Sequence, residues 1–404
     1  MPRSLITASA AWGRDKPDII REVLDNGIAV VCVPDHATDI ELVALVTSVG
    51  FRDERAGEEG LAHLDEHLWC HQGLRPGIAW TGQTAEGASS VAATLLPNRV
   101  PEALAHLARC LVHPPRRLLI RAQSELIADE LRVLRYGQTG QPPLHQLAAM
   151  AAMRVAGVLG SAYGLPNPTT SSEQAMAFRT AHHTADRMCL IAIGPYPPKR
   201  FIALAARKFS SIHLPLGGSP PPVASVEFPR PGRVSEKCMG AALGFVVSPA
   251  SLAELASLEV LVSVVGQCPV DEAVSSRRCR LGTSGPPLAL RAPTTFAIGA
   301  LCRSLSRPNS LERALLAPLE AVADSRLTAT AISAVASERA MRLQRALALP
   351  SEASLLIGAA ELLHGGPAQA FAHVERLLGV GRSELADSAR DLLAAPRVLL
   401  ATET

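Results

Sequence analysis

Residues 60–71 read GLAHLDEHLWCH, and the chain's fold and chemistry turn on how this stretch is used. It is either a packed helix that happens to carry imidazoles or a helix that holds a metal ion. His63, His67 and His71 stand four apart, with Glu66 directly before the second of them. Side chains four apart share one face of an α-helix, so His63 and His67 can both reach a single ion. Neutral imidazole is a preferred ligand of Zn2+, and a neighbouring carboxylate can take a proton from water activated there. His71 extends the stripe by a further turn. At about 1.5 Å rise per residue it lies about 12 Å from His63 along the axis. That is too far for all three imidazoles to share one ion through bonds of about 2 Å.

The order His-x-x-Glu-His inverts the His-Glu-x-x-His zinc helix and is the signature called inverzincin. Polar helix faces also carry His and Glu with no ion bound, so the motif needs a partner. Two imidazoles require a third protein ligand if a tetrahedral site is to keep one position open. The stretch QSELIADELRVL (123–134) supplies carboxylates at Glu125, Asp129 and Glu130, and spacing alone does not choose among them. Whichever serves, bonds of about 2 Å to one ion imply donor atoms about 3–4 Å apart.

The chain has 404 residues, 48% of them hydrophobic and 19% charged, which is ample for packed cores and argues against disorder. Its length predicts two or three domains. The formal charge of +2, with both signs interspersed, excludes a dedicated nucleic-acid binder, which needs a clustered basic face. Eight cysteines without a CxxC pair do not form a disulfide framework, and Cys32, Cys189 and Cys302 fall in apolar runs. That usage fits a reducing cytoplasm. The opening MPRSLITASAAWG has too short an apolar core for a signal peptide, and no stretch reaches the roughly 18 apolar residues of a membrane span.

Along the chain, NGIAVVCVP (26–34) and ELVALVTSVG (41–50) read as strands. The polar loop FRDERAGEEG separates them from the histidine helix. Strands follow at 79–86 and 89–97, then helices at about 101–111 and 116–136, a buried strand MCLIAIGPY (188–196) and a helix KRFIALAARKF. A proline- and glycine-rich linker, 217–232, divides an N-terminal domain, 1–216, from a C-terminal one, 233–404. The second half restarts with a strand at 240–248 and a helix at about 250–267. It continues with a strand at 294–303, several helices between Leu311 and Leu393, and a closing strand, RVLLAT. The similar order of elements in the two halves suggests duplication.

The stretches DNGIAVVCVPD and GFRDERAGEEGLAHLDEHL resemble the M16 metallopeptidases, the pitrilysin, insulin-degrading enzyme and mitochondrial processing peptidase group. The family pattern there is roughly L-x-N-G-L-x-V, G-S-R-x-E and G-x-A-H-x-x-E-H. The similarity continues through VPEALAHLARCLVHPPRRLLIRAQSELIADEL and TADRMCLIAIGPY, and is looser in the second half. It implies an α+β chain of two homologous domains, each a mostly antiparallel sheet flanked by helices, as in the short two-domain subgroup. It further implies a zinc endopeptidase with His63, His67 and Glu130 as ligands and Glu66 as general base, Glu130 falling on the family's third ligand. The substrate would be a peptide or a precursor segment, held in a chamber closed with a second chain of the same kind. No nucleic acid or membrane partner is implied.

Four departures from the family pattern matter. Gln123 stands where the family has a supporting glutamate, and roughly a dozen residues are missing between the zinc helix and AWTGQT. The substrate-pairing strand keeps only Thr84 of Asn-Ala-x-Thr, reading Thr81-Gly82-Gln83-Thr84. In the second half, Arg278 and Gly282 match the substrate-gripping R-x-x-x-G-L-x-Y, but Gly285 occupies the tyrosine's place. An incomplete grip on the developing oxyanion costs a factor of roughly 10²–10³. The resemblance therefore implies a heterodimer whose partner lacks the zinc motif and supplies Arg and Tyr, or else a homodimer. The alternative is a non-catalytic structural subunit of such a heterodimer.

Overall fold

A computed structural model describes residues 17–136 apart from 56, 73–75 and 97, then 148, 152, 166, 169–214, 232–234, 240–269, 274–282, 285–302 and 308–402. Most of the 217–232 linker lies outside the described residues. The first sheet is built from β1 (Ile20–Val23), β2 (Ala29–Pro34), β3 (Glu41–Thr47), β4 (Ile78–Thr84), β5 (Ser89–Leu95) and β6 (Met188–Gly194). Its order is β1-β2-β6-β3-β5-β4, antiparallel throughout except for the parallel pair of β2 and β6. The second sheet comprises β7 (Gly232–Val234), β8 (Gly240–Val247), β9 (Val274–Leu281), β10 (Thr294–Cys302) and β11 (Arg397–Thr402), in the order β7-β11-β8-β10-β9. There too only one pair is parallel, β7 with β11.

The two orders superpose term by term: β2-β6-β3-β5-β4 matches β7-β11-β8-β10-β9, strand sense included. The duplication suggested by the sequence is thus a repeated sheet topology. In it, the helix between β3 and β4, α1 (Leu61–His71), corresponds to the helix between β8 and β9, Leu252–Gln267. The latter carries no histidine, so only the first copy holds the motif.

Helices between β5 and β6 are α2 (Val100–Val112), α3 (Arg117–Tyr136) and α4 (Ser172–His182), and α5 (Pro198–Phe209) follows β6. In the second half the helices are, in sequence order, α6 (Leu252–Gln267), α7 (Pro308–Ala323), α8 (Ala329–Ala348), α9 (Pro350–Leu363), α10 (Ala368–Leu378) and α11 (Arg382–Ala394). Local signals explain their starts. Pro101 and Pro198 occupy first turns, Ser251 accepts from the Glu254 N–H, and Ser171 with Gln174 forms a capping box. No single helix among the described residues is long and apolar enough to cross a membrane.

Every residue of β3 is buried, because the first sheet is covered on both faces. Val43 and Leu45 pack with Leu104 and Leu107 of α2 and Phe201 of α5. The opposite face receives α9, where Gly358 lies so close that an added Cβ would stand 2.5 Å from the Val46 Cβ. Glu361 of α9 pairs with Arg21 of β1 at 2.7 Å. The chain accordingly divides into compact units within Met1–Ile127, Leu165–Ser219 and Leu343–Ala372 on one side and Ala128–Gly164, Pro220–Arg342 and His373–Thr404 on the other. The first unit thus includes a segment that the sequence pattern places in the domain 233–404.

Candidate metal centre

The helix α1 starts behind Gly60, whose φ of 82° lies in the left-handed region that favours glycine. Its cap comes from outside the helix. The buried Glu54 carboxyl accepts from the Gly60 and Ala62 N–H groups, both at 3.0 Å. Burial pushes that carboxyl up to about 8, against the two donors that lower it. Glu54 is fixed because the turn before it is tied down: the Phe51 and Arg52 N–H groups bond to the Ala85 and Glu86 carbonyls at 3.2 and 3.1 Å. Gly50 permits this approach, since a Cβ there would stand 2.2 Å from the Ala85 oxygen. The stretch FRDERAGEEG, a plain polar loop by its sequence, is in part the bracket that sets where α1 begins.

The inner side of α1 is anchored by Asp65. Its Oδ1 accepts from Arg179 Nε at 3.0 Å and Nη2 at 2.5 Å, and its Oδ2 accepts from Trp69 Nε1 at 2.9 Å. His183 Nε2 lies 3.3 Å from the same Oδ2, its ring stacked 5.8 Å from that of Trp69. A buried arginine on a buried aspartate joins α4 to α1, and removing either partner strands a charge in the core.

Burial pushes the His183 imidazole down to about 4, although Asp65 acts in the opposite sense. The unfolded chain, with this histidine at its ordinary 6.5, binds more protons between these two values than the folded chain does. Stability from this group is therefore full above pH 6.5 and is lost as pH falls toward 4, by about 3 kcal/mol at most. Denaturant unfolding of the chelated chain at pH 7 and pH 4.5 should show the parent losing more stability on acidification than His183→Gln does, since Glu54 and His63 titrate over the same range in both chains and cancel in the comparison.

His63, Glu66 and His67 occupy the neighbouring face of α1. One donor atom each from His63, His67 and Glu130 lies within 4.8 Å of the others. This is the group that the resemblance implies, with a spread somewhat wider than the roughly 3–4 Å that bonds to one ion would impose. Of the three carboxylates on α3, Glu125 pairs with Arg121 at 3.1 Å and Asp129 with Arg132 at 3.0 Å, all well exposed. Glu130 alone of the three joins the imidazoles. Two imidazoles and one carboxylate suit a first-row divalent cation. His71 does not belong to the group.

Gln123 stands seven residues before Glu130, about two turns away on the same face of α3, and is buried. Its Oε1 lies 3.0 Å from His67 Nδ1, and an amide oxygen only accepts, so that nitrogen carries the proton. The lone pair of Nε2 is thereby left for a metal, the usual orienting role of an outer partner. The neutral amide performs it without adding charge. Burial, then the neighbouring His67, pushes His63 down to about 4, which keeps its imidazole neutral, as ligation requires.

Glu66 is 7% exposed. Its Oε2 accepts from Thr84 Oγ1 at 3.3 Å and lies 3.9 Å from His63 Nε2, and Cys70 Sγ lies 3.7 Å from Oε1. Thr84 thus touches the carboxylate itself, a contact that its place in a substrate-pairing strand did not foretell. β4 is the last strand of its sheet, so its outer backbone edge faces no other strand among those described. Arg278 is an exposed residue of β9, paired across to Gly299. Gly285, where the family pattern has tyrosine, has a φ of 85°, a conformation that a tyrosine adopts only with strain. Asp65, Arg179 and His183 carry no motif, and Glu54 enters only as the glutamate of the G-S-R-x-E pattern, which gives it no role. Only the capping box at Ser171 marks the helix that delivers Arg179.

No family model and no curated protein matches the chain. Solved structures do. A protease from Helicobacter pylori aligns at a TM-score of 0.74 and 16% identity over 95% of this chain and 99% of its own. A chain of complex III2 from Candida albicans, with Inz-5 bound, aligns at 0.72 and 12% identity over 95% and 96%. The first half of the periplasmic protease PqqL from Escherichia coli aligns at 0.62 and 18% identity over 96% and 92%. At such identities the likeness is one of architecture: these helix-flanked sheets have the fold of the M16-type proteases.

Proposed function

We propose that the chain is a zinc-dependent endopeptidase. One observation carries this reading: His63, His67 and Glu130, from two separate helices, converge as a ligand set with the buried carboxylate of Glu66 beside them. Bound there, the cation would serve as a Lewis acid for the scissile carbonyl and for the attacking water. Glu66 accepts the proton of that water and returns it to the leaving amine. Thr84 holds one of its oxygens and leaves the other facing Cys70, a poor hydrogen-bond donor. Gln123 keeps the proton of His67 on Nδ1.

The open edge of β4 offers an extended peptide a row of main-chain donors and acceptors, which gives affinity with little sequence selection. Peptides or unfolded precursor segments fit that edge. We further propose that the chain works in a chamber closed by a second chain of the same fold, either a copy of itself or a partner lacking the motif. The reason is that Gly285 leaves the second-half grip short of a donor. The alternative is a structural subunit without turnover, favoured by the shortened wall of the site and by Gln123, a neutral amide where the family has a glutamate.

Zinc quantification together with a peptide-cleavage assay, with and without chelator, separates the two. One equivalent of zinc, with cleavage that chelator abolishes and zinc restores, supports the enzyme. A chain that takes up no zinc and assembles unchanged supports the scaffold.

A further inference from the structure

Beneath α1 the first unit contains a cavity of about 20 Å³, whose walls include Thr47 at the end of β3, Asp65, Glu66 and Trp69 of α1, Ser90 of β5, and His183. A volume above roughly 10–15 Å³ accommodates one water molecule, provided that it meets two to four polar partners. Two buried polar atoms of these lining residues, Thr47 Oγ1 and His183 Nδ1, find no hydrogen-bond partner among the described residues. Both residues are more than nine-tenths buried. His183 Nε2 faces Asp65 Oδ2 at 3.3 Å, and a carboxylate oxygen only accepts, so the imidazole proton sits on Nε2. Nδ1 is left as an acceptor, while the Thr47 hydroxyl can both donate and accept. Each of the two lacks a partner, so they do not bond to each other, and an unsatisfied polar atom in a core carries the full cost of its lost hydration. A small group that accepts from one and donates to the other satisfies both.

We propose that this cavity binds one water molecule, which accepts from Thr47 Oγ1 and donates to His183 Nδ1. Its other hydrogen has the Ser90 hydroxyl and the carboxylates of Asp65 and Glu66 on the same walls. Arg179, Trp69 and His183 already meet Asp65 directly, and the water extends that anchor to β3, an inner strand of the sheet. The helix that bears His63 and His67 is thereby tied to the sheet by a polar bridge as well as by apolar packing. The bridge depends neither on a bound metal nor on peptide cleavage.

Thr47→Val in the full chain is the test, because it keeps the shape of the side chain and removes its hydroxyl. In a dry cavity, deleting an unsatisfied buried hydroxyl raises the melting temperature. With the water bound, the deletion strands its partners, and the melting temperature should fall by about 2 °C or more. Magnetic relaxation dispersion of the solvent oxygen should count one long-lived internal water fewer in Thr47→Val than in the parent. The count should be unchanged in Thr47→Ser, which keeps the hydroxyl. A high-resolution crystal structure of the parent should place a water within about 3.2 Å of both atoms. An unchanged or raised melting temperature for Thr47→Val, an unchanged water count in that variant, or a parent crystal structure without a water at that position overturns the proposal.

Discussion

Glu66→Gln should retain its full complement of zinc and lose cleavage by about 10³-fold in kcat, within the range expected for removing a positioned general base. The substitution is nearly isosteric. The amide keeps an oxygen to accept from Thr84 Oγ1 and still fits the space above Gly82, so the fold and the ligand set stay intact. What it loses is the capacity to take a proton. Steady-state kinetics on a fluorogenic peptide, paired with metal analysis of the same sample, checks both halves of the statement. Activity within tenfold of the parent would remove Glu66 from the reaction. Loss of zinc alongside activity would make it a ligand instead.

The second large effect is on binding. Glu130→Ala should weaken zinc affinity by more than about 100-fold, because replacing an outer partner of a ligand typically costs 10–100-fold and a direct ligand costs more. Glu125→Ala, on the same helix, should leave affinity unchanged, since that carboxylate points to solvent and pairs only with Arg121. Competition titration against a chromophoric chelator measures both variants. An unchanged affinity for Glu130→Ala would break the ligand set on which the proposed chemistry rests.

Much of this arrangement was legible before any coordinates. The His-x-x-Glu-His spacing located α1 and put His63 and His67 on one face of it, and continuous apolar runs such as ELVALVT marked strands covered on both faces. Other parts were not legible, for physical reasons. Choosing Glu130 over Glu125 or Asp129 depended on how α3 is rotated against α1, which its own sequence does not state. The resemblance to a family supplied that choice; in the structure one donor atom each of Glu130, His63 and His67 lies within 4.8 Å of the others.

β9 reads SSRRC in its middle, an edge strand whose charges hide the alternation that would reveal it, and β1 is a four-residue strand exposed throughout. The helix Ser172–His182 carried a usable signal in its Ser171–Gln174 box, yet nothing local showed that Arg179 would reach Asp65. A Cβ on Gly82 of β4 would stand 1.6 Å from Glu66 Oε1 of α1, a relation between a helix and a strand, whereas in the sequence a glycine inside a strand pattern marks only that something approaches closely.

The helix Pro350–Leu363 has a consequence for how this molecule can be taken apart. It arises after the second sheet has begun, yet Gly358 lies tight against Val46 of the first sheet, and Glu361 holds Arg21. A gene split at the proline-rich stretch would yield an amino-terminal fragment with one bare wall of aliphatic side chains exposed to water. Such a fragment would be insoluble or would have to borrow the missing helix from a neighbour. The two repeats lend each other pieces, so they must be inherited, expressed and engineered as one length of chain.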